Sequence, residues 1–224
     1  MTRKVFWEDP YLTTLEAKIA GVAGDWLTLD RTIFFALSGG QESDSGTIAG
    51  RPVLEAVWQC REIGYRLASG HGLAPGDAAT IEIDWPRRYR LMRLHFAAEI
   101  VLELVMLAAE TIAAPVEKIG AHIAEDKARI DFLWPGNIAM LFPELEARTR
   151  AIVEADQPIT SAFSDAARER RYWQIDGLAR VPCGGTHLKR TSEIGAIALK
   201  RKNIGRGKER VEITLVEGTG DGRV

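Results

Sequence analysis

The sequence is short of cysteine, of long apolar runs and of any excess of charge. Two of its 224 residues are cysteine, Cys60 and Cys183, which could pair in principle, but in a reducing compartment a cysteine is more often buried or metal-bound. No apolar run approaches the roughly 18–20 residues that cross a bilayer, and the first ten residues lack the apolar stretch of a signal peptide. We therefore expect a cytoplasmic protein without a membrane partner, in which Cys60 is a core residue.

The charges of the chain are nearly balanced. It has 29 lysines and arginines against 31 aspartates and glutamates, a net charge of −2. This excludes a generally basic coat, so any contact with nucleic acid must come from local patches. With 46% hydrophobic and 27% charged residues, the composition is that of a globular protein, and the length allows one large domain or two small ones.

The first part of the chain alternates short β-prone runs with turn signals. Residues 15–22 are strand-like, a Gly-Asp turn follows, and residues 32–35 lead into a glycine-rich loop over residues 38–47. Many short strands at this spacing predict a small β-barrel. We expect this first domain to occupy residues 1–85.

From Pro86 onward the pattern changes. Asp84 is a plausible helix cap, and apolar residues recur at threes and fours over residues 87–112. Further predicted elements are strands at 128–133 and 178–181, helices at 144–155 and 165–171, and a hairpin of residues 194–200 and 211–216. The tail over residues 218–222 is expected to fray. The second domain is predicted over residues 86–224.

Two segments carry metal-binding side chains. Cys183 and His187 lie four residues apart, joined by Gly-Gly-Thr, and can turn onto one divalent ion, for which zinc is the natural choice. In the predicted helix, His95 and Glu99 share one face at i and i+4. Since a closed zinc shell needs about four donors, we predict that His95, Glu99, Cys183 and His187 bind one Zn²⁺. The alternatives are an ordinary polar pair and a tight glycine turn that carries a buried thiol.

A cluster of basic residues lies near the end of the chain. Its members are Lys200, Arg201, Lys202, Arg206, Lys208 and Arg210. Gly205 and Gly207 keep the segment flexible. Such a cluster is either a solvated hairpin or a contact for RNA phosphates.

Several motifs, in their order along the chain, resemble the editing modules of alanyl-tRNA synthetase. They are Ser38-Gly39-Gly40-Gln41 with Asp44 and Gly46, Arg87 to Met92 leading to His95, Asp126 to Phe132, and Cys183 to His187 with Thr191 and Glu193-Ile194-Gly195. The resemblance covers residues 5–216. Its length suits the free-standing alanyl-tRNA editing proteins.

The resemblance implies an α+β fold, namely an N-terminal small β-barrel followed by an α+β editing domain of the threonyl/alanyl-tRNA synthetase type, an antiparallel sheet with helices. It implies a zinc site in a cleft and hydrolysis of the ester that joins serine or glycine wrongly to the acceptor end of tRNA(Ala). The substrate-binding candidates are Ser38, Gly39, Gly40, Gln41 and Thr186. Of these, Gln41 and Thr186 are candidates to contact the serine hydroxyl. A wide turn between strands is the alternative interpretation of the loop.

The chain departs from the family pattern in the helix. The family has His-x-x-x-His, whereas this chain has His95 and Glu99 with Phe96 between them. Glutamate can bind zinc through oxygen, but its charge makes the ion a weaker Lewis acid. His122 is a candidate replacement imidazole in the cleft, or else a partly exposed loop residue. Two alternatives to a zinc-dependent deacylase therefore stand: a catalytically silent tRNA- or metal-binding homologue, and an esterase for another aminoacyl substrate. Whether zinc activates water or anchors the substrate is open.

Overall fold

The computed structural model describes residues 1–112 and 114–216, which form two compact units. The first consists of residues 1–91 with Gly184–Thr186, and the second of the described residues within 92–183 and 187–216. The division after Leu91 falls within helix α1 (Trp85–Ala109). The division into domains 1–85 and 86–224 stays a prediction, and the expected frayed tail lies outside the described residues.

The first unit is built of short strands. They are β1 (Arg3–Lys4), β2 (Thr14–Ala23), β3 (Trp26–Leu29), β4 (Arg31–Thr32), β5 (Gly46–Ile48), β6 (Arg51–Pro52), β7 (Glu55–Gln59), β8 (Glu62–Arg66) and β9 (Ala78–Ile83). Seven of them pair antiparallel in the order β6-β5-β9-β2-β3-β8-β7, while β1 pairs with β4. The predicted series of short strands is confirmed, and its closure into a barrel stays a prediction.

Alternation of side chains gives this sheet its buried face. In β9, Ala79, Ile81 and Ile83 are buried and the residues between them are not, which is the period of a half-buried strand. An aromatic cluster fills the core, in which Phe34 packs edge-on against Tyr65 at 5.4 Å. The core of this unit therefore combines alternating strand residues with the consecutive buried residues 33–36, which lie outside the strands.

A buried ion pair fixes the glycine-rich loop. Arg88, in the first turns of α1, donates from Nε to Asp44 Oδ1 at 2.7 Å, and its guanidinium also donates to the carbonyls of Ile33 and Pro10 at 2.6 and 2.9 Å. Asp44 Oδ2 in turn accepts from the backbone N–H of Phe35 at 2.6 Å. Both side chains of the pair are fully buried. The Arg88 guanidinium therefore joins Asp44 of the loop to the chain that precedes the loop.

The loop ends at a glycine that no other residue can replace without a shift. Gly46 has a φ of +155°, and a Cβ added there would lie 2.1 Å from the carbonyl oxygen of Glu82. This close approach accompanies the pairing of Gly46 with Ile83 between β5 and β9. Glycine is required here by both the backbone angle and the space.

Among the residues that the structure describes, the second unit contains two sheets, helix α2 and most of helix α1. Its elements after α1 are β10 (Glu117–Ile123), β11 (Ala128–Leu133), α2 (Phe142–Glu154), β12 (Thr160–Asp165), β13 (Arg170–Ile175), β14 (Ala179–Pro182), β15 (Ile197–Gly205) and β16 (Lys208–Leu215). One antiparallel sheet has the order β10-β11-β16-β15 and the other β12-β13-β14. The fold is α+β, as the resemblance implied.

Helix α1 is more deeply buried than its sequence pattern predicts. The N–H of Arg87 donates to Asp84 Oδ1 at 3.2 Å, which confirms the predicted cap. Between Leu91 and Val101, every residue except Arg93 and Glu99 is buried. A helix that is apolar on nearly all sides is a buried helix. The buried surface of α1 is therefore wider than the single apolar stripe that the sequence pattern predicts.

The predicted helix at 165–171 is wrong. The structure has a hairpin of β12 and β13, with Asp165 Oδ1 accepting from the N–H of Arg168 at 3.0 Å and Glu169 at a φ of +55°. Alanine, arginine and glutamate favour a helix locally, but pairing with neighbouring strands outweighs so weak a preference.

The other elements predicted for this unit are confirmed, namely the strands of 128–133 and 178–181, helix α2 and the β15–β16 hairpin. The placement of Cys60 in the core is wrong, because it is exposed at the turn between β7 and β8, with a φ of +57°. Within the described residues, none of the helices combines the length and apolarity needed to pass through a membrane.

Candidate metal centre

Helix α1 and the segment after β14 supply the predicted metal ligands in the second unit. His95 and Glu99 lie on successive turns of α1. Cys183 follows β14, and its backbone N–H donates to the carbonyl of Arg171 in β13 at 3.0 Å. Strand pairing therefore sets the position of the thiol.

The structure brings three of the predicted ligands together. Cys183 Sγ lies 3.3 Å from His95 Nε2 and 3.2 Å from His187 Nε2, and one donor atom from each residue lies within 4.8 Å of the others. In a tetrahedral zinc site with bonds of about 2.0–2.3 Å, neighbouring donors are roughly 3.3–3.7 Å apart. The donor atoms and their spacing thus fit a divalent metal such as zinc.

Glu99 stands beside this group. Its Oε1 is 3.4 Å from His95 Nε2 and 3.9 Å from Cys183 Sγ, while its Oε2 accepts from Trp173 Nε1 at 2.9 Å. It is not a member of the group in which all donors are mutually close. Its role as the fourth ligand stays a prediction.

The electrostatics of the group favour a positive charge at its centre. Burial lowers the pKa of His95, but the neighbouring Cys183 and Glu99 raise it by more through charge and hydrogen bonds, so that the pKa lies above its usual value. Burial, helped by the charges of His95 and Arg171, holds the pKa of His187 well below its usual value. A neutral imidazole is the form that binds a metal, so His187 is ready to act as a ligand.

Ser161 supports His187 from behind. Its Oγ is 2.8 Å from His187 Nδ1, so that Nε2 is the ring nitrogen that faces Cys183. No sequence motif signals this contact, because Ser161 comes into place only through the pairing of β12 with β13, where it lies opposite Trp173.

We expect Ser161→Ala to weaken zinc binding by about 10-fold, because the partner of a metal-bound imidazole fixes its orientation and tautomer. Competition with a chromogenic chelator measures this affinity. Ser164→Ala is the matched control, since Ser164 lies in the same strand and its hydroxyl donates only to the exposed carbonyl of Arg170 at 3.2 Å. Equal affinity of the two variants would contradict the assigned role.

The glycine-rich loop belongs to the first unit. Gly39 and Gly40 have φ of 61° and 89°, and Ser38 and Gln41 exchange backbone hydrogen bonds of 3.0 and 3.2 Å. Two central residues with positive φ are typical of a tight hairpin turn. Ser38 and Gly39 are exposed at its tip.

Gln41 and Thr186 form a reciprocal buried pair in the same unit. Gln41 Nε2 donates to Thr186 Oγ1 at 2.8 Å, and the N–H of Thr186 donates to Gln41 Oε1 at 3.3 Å. The neighbouring Gly184 is held too, since its carbonyl accepts from Trp7 Nε1 at 2.8 Å. The glycine-rich loop is therefore tied to the segment that immediately precedes His187 in the chain.

The basic cluster divides into two kinds of residue. Lys200, Lys202, Arg206 and Lys208 are exposed on the β15–β16 hairpin. The half-buried Arg201 and Arg210 are paired with carboxylates: Arg201 Nη2 donates to Glu209 at 2.6 Å, and Arg210 Nε donates to Asp131 at 2.6 Å.

His122 lies on β10, opposite Arg129 of β11. It is not a member of the three-donor group formed by His95, Cys183 and His187. Its proposed place in a cleft stays a prediction.

The class of the chain follows from its fold and from one family match. Residues 175–212, which include the Cys183–His187 segment, match the family described as the threonyl and alanyl tRNA synthetase second additional domain. The α+β fold is consistent with this class of synthetase-type domain.

Comparisons over the whole chain identify the family to which it belongs. The chain is 34% identical to the alanyl-tRNA editing protein AlaX-M of Pyrococcus horikoshii, over 96% of this chain and 98% of that protein. It is 29% identical to AlaX-M of Methanosarcina barkeri, over 97% of this chain and 100% of that protein. It is also 31% identical to the alanine–tRNA ligase of Methanopyrus kandleri, but over only 26% of the ligase. The chain belongs to the AlaX-M family of free-standing alanyl-tRNA editing proteins.

Proposed function

We propose that this protein is a trans-editing deacylase that hydrolyses the ester between a wrongly attached amino acid and tRNA(Ala). The observation that carries the proposal is the match over 96% of the chain to an editing protein that is itself matched over 98% of its length. The presence of the donor group His95, Cys183 and His187 supports it. The reaction forms a bond from water oxygen to the ester carbonyl carbon and breaks the bond to the ribose oxygen, which takes a proton.

We propose that the ion is Zn²⁺, held by His95, Cys183 and His187 with Glu99 as the fourth ligand. The mixture of thiolate, imidazole and carboxylate is one that zinc accepts. A zinc ion bound there supplies Lewis acidity next to the ester or a fixed positive charge for substrate groups. The chain's own task is to hold these side chains in one orientation, which Ser161 does for His187 and Trp173 for Glu99.

The Gln41–Thr186 pair is the proposed reader of the amino acid. The Thr186 hydroxyl accepts from the Gln41 amide, so its own hydrogen is available to the side-chain oxygen of serine. A site that hydrogen-bonds a hydroxyl rejects the analogue without it far more strongly than a pocket rejects one extra methylene. Serine is therefore favoured over alanine, and also over glycine.

Two surfaces are proposed to bind the tRNA acceptor end. The exposed tip of the loop, with the Ser38 side chain and the N–H groups of Gly39 and Gly40, suits the terminal nucleotide or the aminoacyl group. The lysines at 200, 202 and 208, with Arg206, are the exposed cations of the β15–β16 hairpin and suit RNA phosphates. Arg201 and Arg210 already bind carboxylates, so they contribute charge to this surface without moving. The sheet of the first unit is proposed to be the barrel of residues 1–85, and residues 86–224 the editing domain.

Purified protein is expected to release serine from Ser-tRNA(Ala) at least about 100-fold faster than alanine from Ala-tRNA(Ala). Filter assays of radiolabelled charged tRNA measure both rates. Gly-tRNA(Ala) is the second expected substrate, hydrolysed more slowly than Ser-tRNA(Ala) because glycine offers no hydroxyl to Thr186, and Thr186→Val should reduce the preference for serine. Loss of label no faster than in buffer, at micromolar enzyme, would rule out the deacylase.

The substitution that places Glu99 where the family has histidine favours one second candidate, a catalytically silent homologue that binds tRNA or metal. The two candidates separate in the same preparation. A silent homologue binds tRNA(Ala) in a gel-shift experiment without turnover, whereas the deacylase shows both.

A further inference from the structure

The two oxygens of Glu99 lie in different surroundings. Oε1 faces His95 Nε2 at 3.4 Å and Cys183 Sγ at 3.9 Å. Oε2 instead accepts a hydrogen bond from Trp173 Nε1 at 2.9 Å. A single oxygen of this carboxylate is therefore turned toward the candidate metal centre.

Trp173 is held in place for this contact. Alternate residues of β13, Arg171, Trp173 and Ile175, are buried, and Trp173 has an exposed fraction of 0%. An indole N–H can only donate, and a buried one needs an acceptor. The carboxylate, which is 16% exposed, meets that need with Oε2 as the accepting atom.

Phe96 fixes the plane of the indole. Its ring meets the Trp173 ring edge-on, with centroids 5.2 Å apart and an angle of 64°, and it meets the His187 ring at 5.9 Å. Phe96 is fully buried and lies three residues before Glu99 in α1. The same helical turn thus supplies both the carboxylate and the ring that orients its donor.

We infer that Trp173 is a positioning residue that restricts Glu99 to one donor oxygen at the metal centre. This rests on the proposed metal site. A carboxylate can bind a metal through one oxygen or through both, and an additional donor raises the coordination of a four-coordinate zinc site. Because the indole N–H engages Oε2, a metal bound at this site would meet the Glu99 carboxylate through Oε1 alone, and its coordination would not be raised by the second oxygen. Trp173 and Phe96 thus allow a glutamate at position 99 to serve as a metal ligand through a single oxygen.

The test uses Co²⁺ in place of zinc, because four-coordinate Co²⁺ absorbs visible light more strongly than five- or six-coordinate Co²⁺. Trp173→Phe keeps an aromatic ring against Phe96 and removes the N–H. We expect weaker visible absorption of the Co²⁺ form of this variant. In the zinc form, kcat for Ser-tRNA(Ala) should fall about 10-fold with little change in KM.

Two comparisons separate positioning from packing. Trp58→Phe also removes an indole N–H, which donates to the carbonyl of Ala36 at 3.3 Å, and should leave the Co²⁺ spectrum unchanged. In a Glu99→Ala background, Trp173→Phe should have no further effect on the spectrum, since no carboxylate is left to position.

The possible failures are distinguishable. A wild-type Co²⁺ spectrum in Trp173→Phe, or an equal change in the Glu99→Ala background, would overturn the inference and leave the metal site standing. A chain that binds no Co²⁺ would overturn both. If Co²⁺ binds but Ser-tRNA(Ala) is not hydrolysed, the proposed reaction fails, and the spectra alone decide the role of Trp173.

Discussion

Replacing Cys183 by alanine is expected to abolish stoichiometric metal binding and to lower deacylation by about 100-fold or more. The sulfur of Cys183 is close to both imidazoles: Sγ lies 3.3 Å from His95 Nε2 and 3.2 Å from His187 Nε2. In the proposed set it would also be the soft anionic ligand, and thiolate sites select zinc over harder ions. Mutation of a residue that hydrogen-bonds a metal ligand already lowers metal affinity or activity by about 10–100-fold. Loss of a ligand itself should therefore lower them further.

Metal content and serine release from Ser-tRNA(Ala) should be measured in one preparation. Cys60→Ala is the matched control, because it removes the other thiol of the chain, which is exposed at a turn in the first unit. The control should keep one zinc per chain and normal turnover. If Cys183→Ala also keeps both, the proposed ligand set is incorrect.

Arg88→Met is expected to lower the free energy of unfolding by about 3–5 kcal/mol. The guanidinium makes two hydrogen bonds to Asp44 and one each to the carbonyls of Ile33 and Pro10, and both charged side chains are fully buried. Methionine fills much of the same volume but leaves the Asp44 carboxylate buried without its cation. Breaking a buried pair by removing one partner carries a penalty of that size.

Urea unfolding followed by circular dichroism measures this loss, and the thermal midpoint should fall by roughly 10 °C. Arg87→Met is the control on the neighbouring residue. Arg87 pairs with Glu42 at 2.8 Å on a partly exposed surface, where such pairs contribute about 1 kcal/mol or less. Similar losses in the two variants would mean that burial of the Arg88–Asp44 pair is not what stabilises the loop.

The parts of the site that depend on local spacing were predictable from the sequence. His95 and Glu99 are one helical turn apart, and Cys183 and His187 are joined by a short glycine segment, so each pair is constrained by the chain itself. That the two pairs lie close together depends on the tertiary fold, and only the resemblance to a known family predicted it. The reciprocal pairing of Gln41 with Thr186 joins residues 145 positions apart in the sequence, and no spacing rule encodes it.

What the sequence did not reveal lies mainly on β12 and β13. Because the residues around Arg168 favour a helix, the sequence predicted neither the β12–β13 hairpin nor the buried face of β13 that carries Trp173. Ser161 was missed for the same reason, since its role appears only when β12 is paired with β13. The placement of Cys60 failed because burial was inferred from residue type alone, whereas a turn position with positive φ decided it.

Gly46 limits how this protein can diverge. The tip of the loop that it closes is exposed, so side chains there can vary as substrates or partners vary. A methyl group at position 46, by contrast, would strike the backbone of a neighbouring strand 2.1 Å away. The residues of the loop can therefore be substituted during evolution, whereas the position at which the loop rejoins the sheet cannot change. Any attempt to graft a different loop into this scaffold must keep that residue as its fixed end.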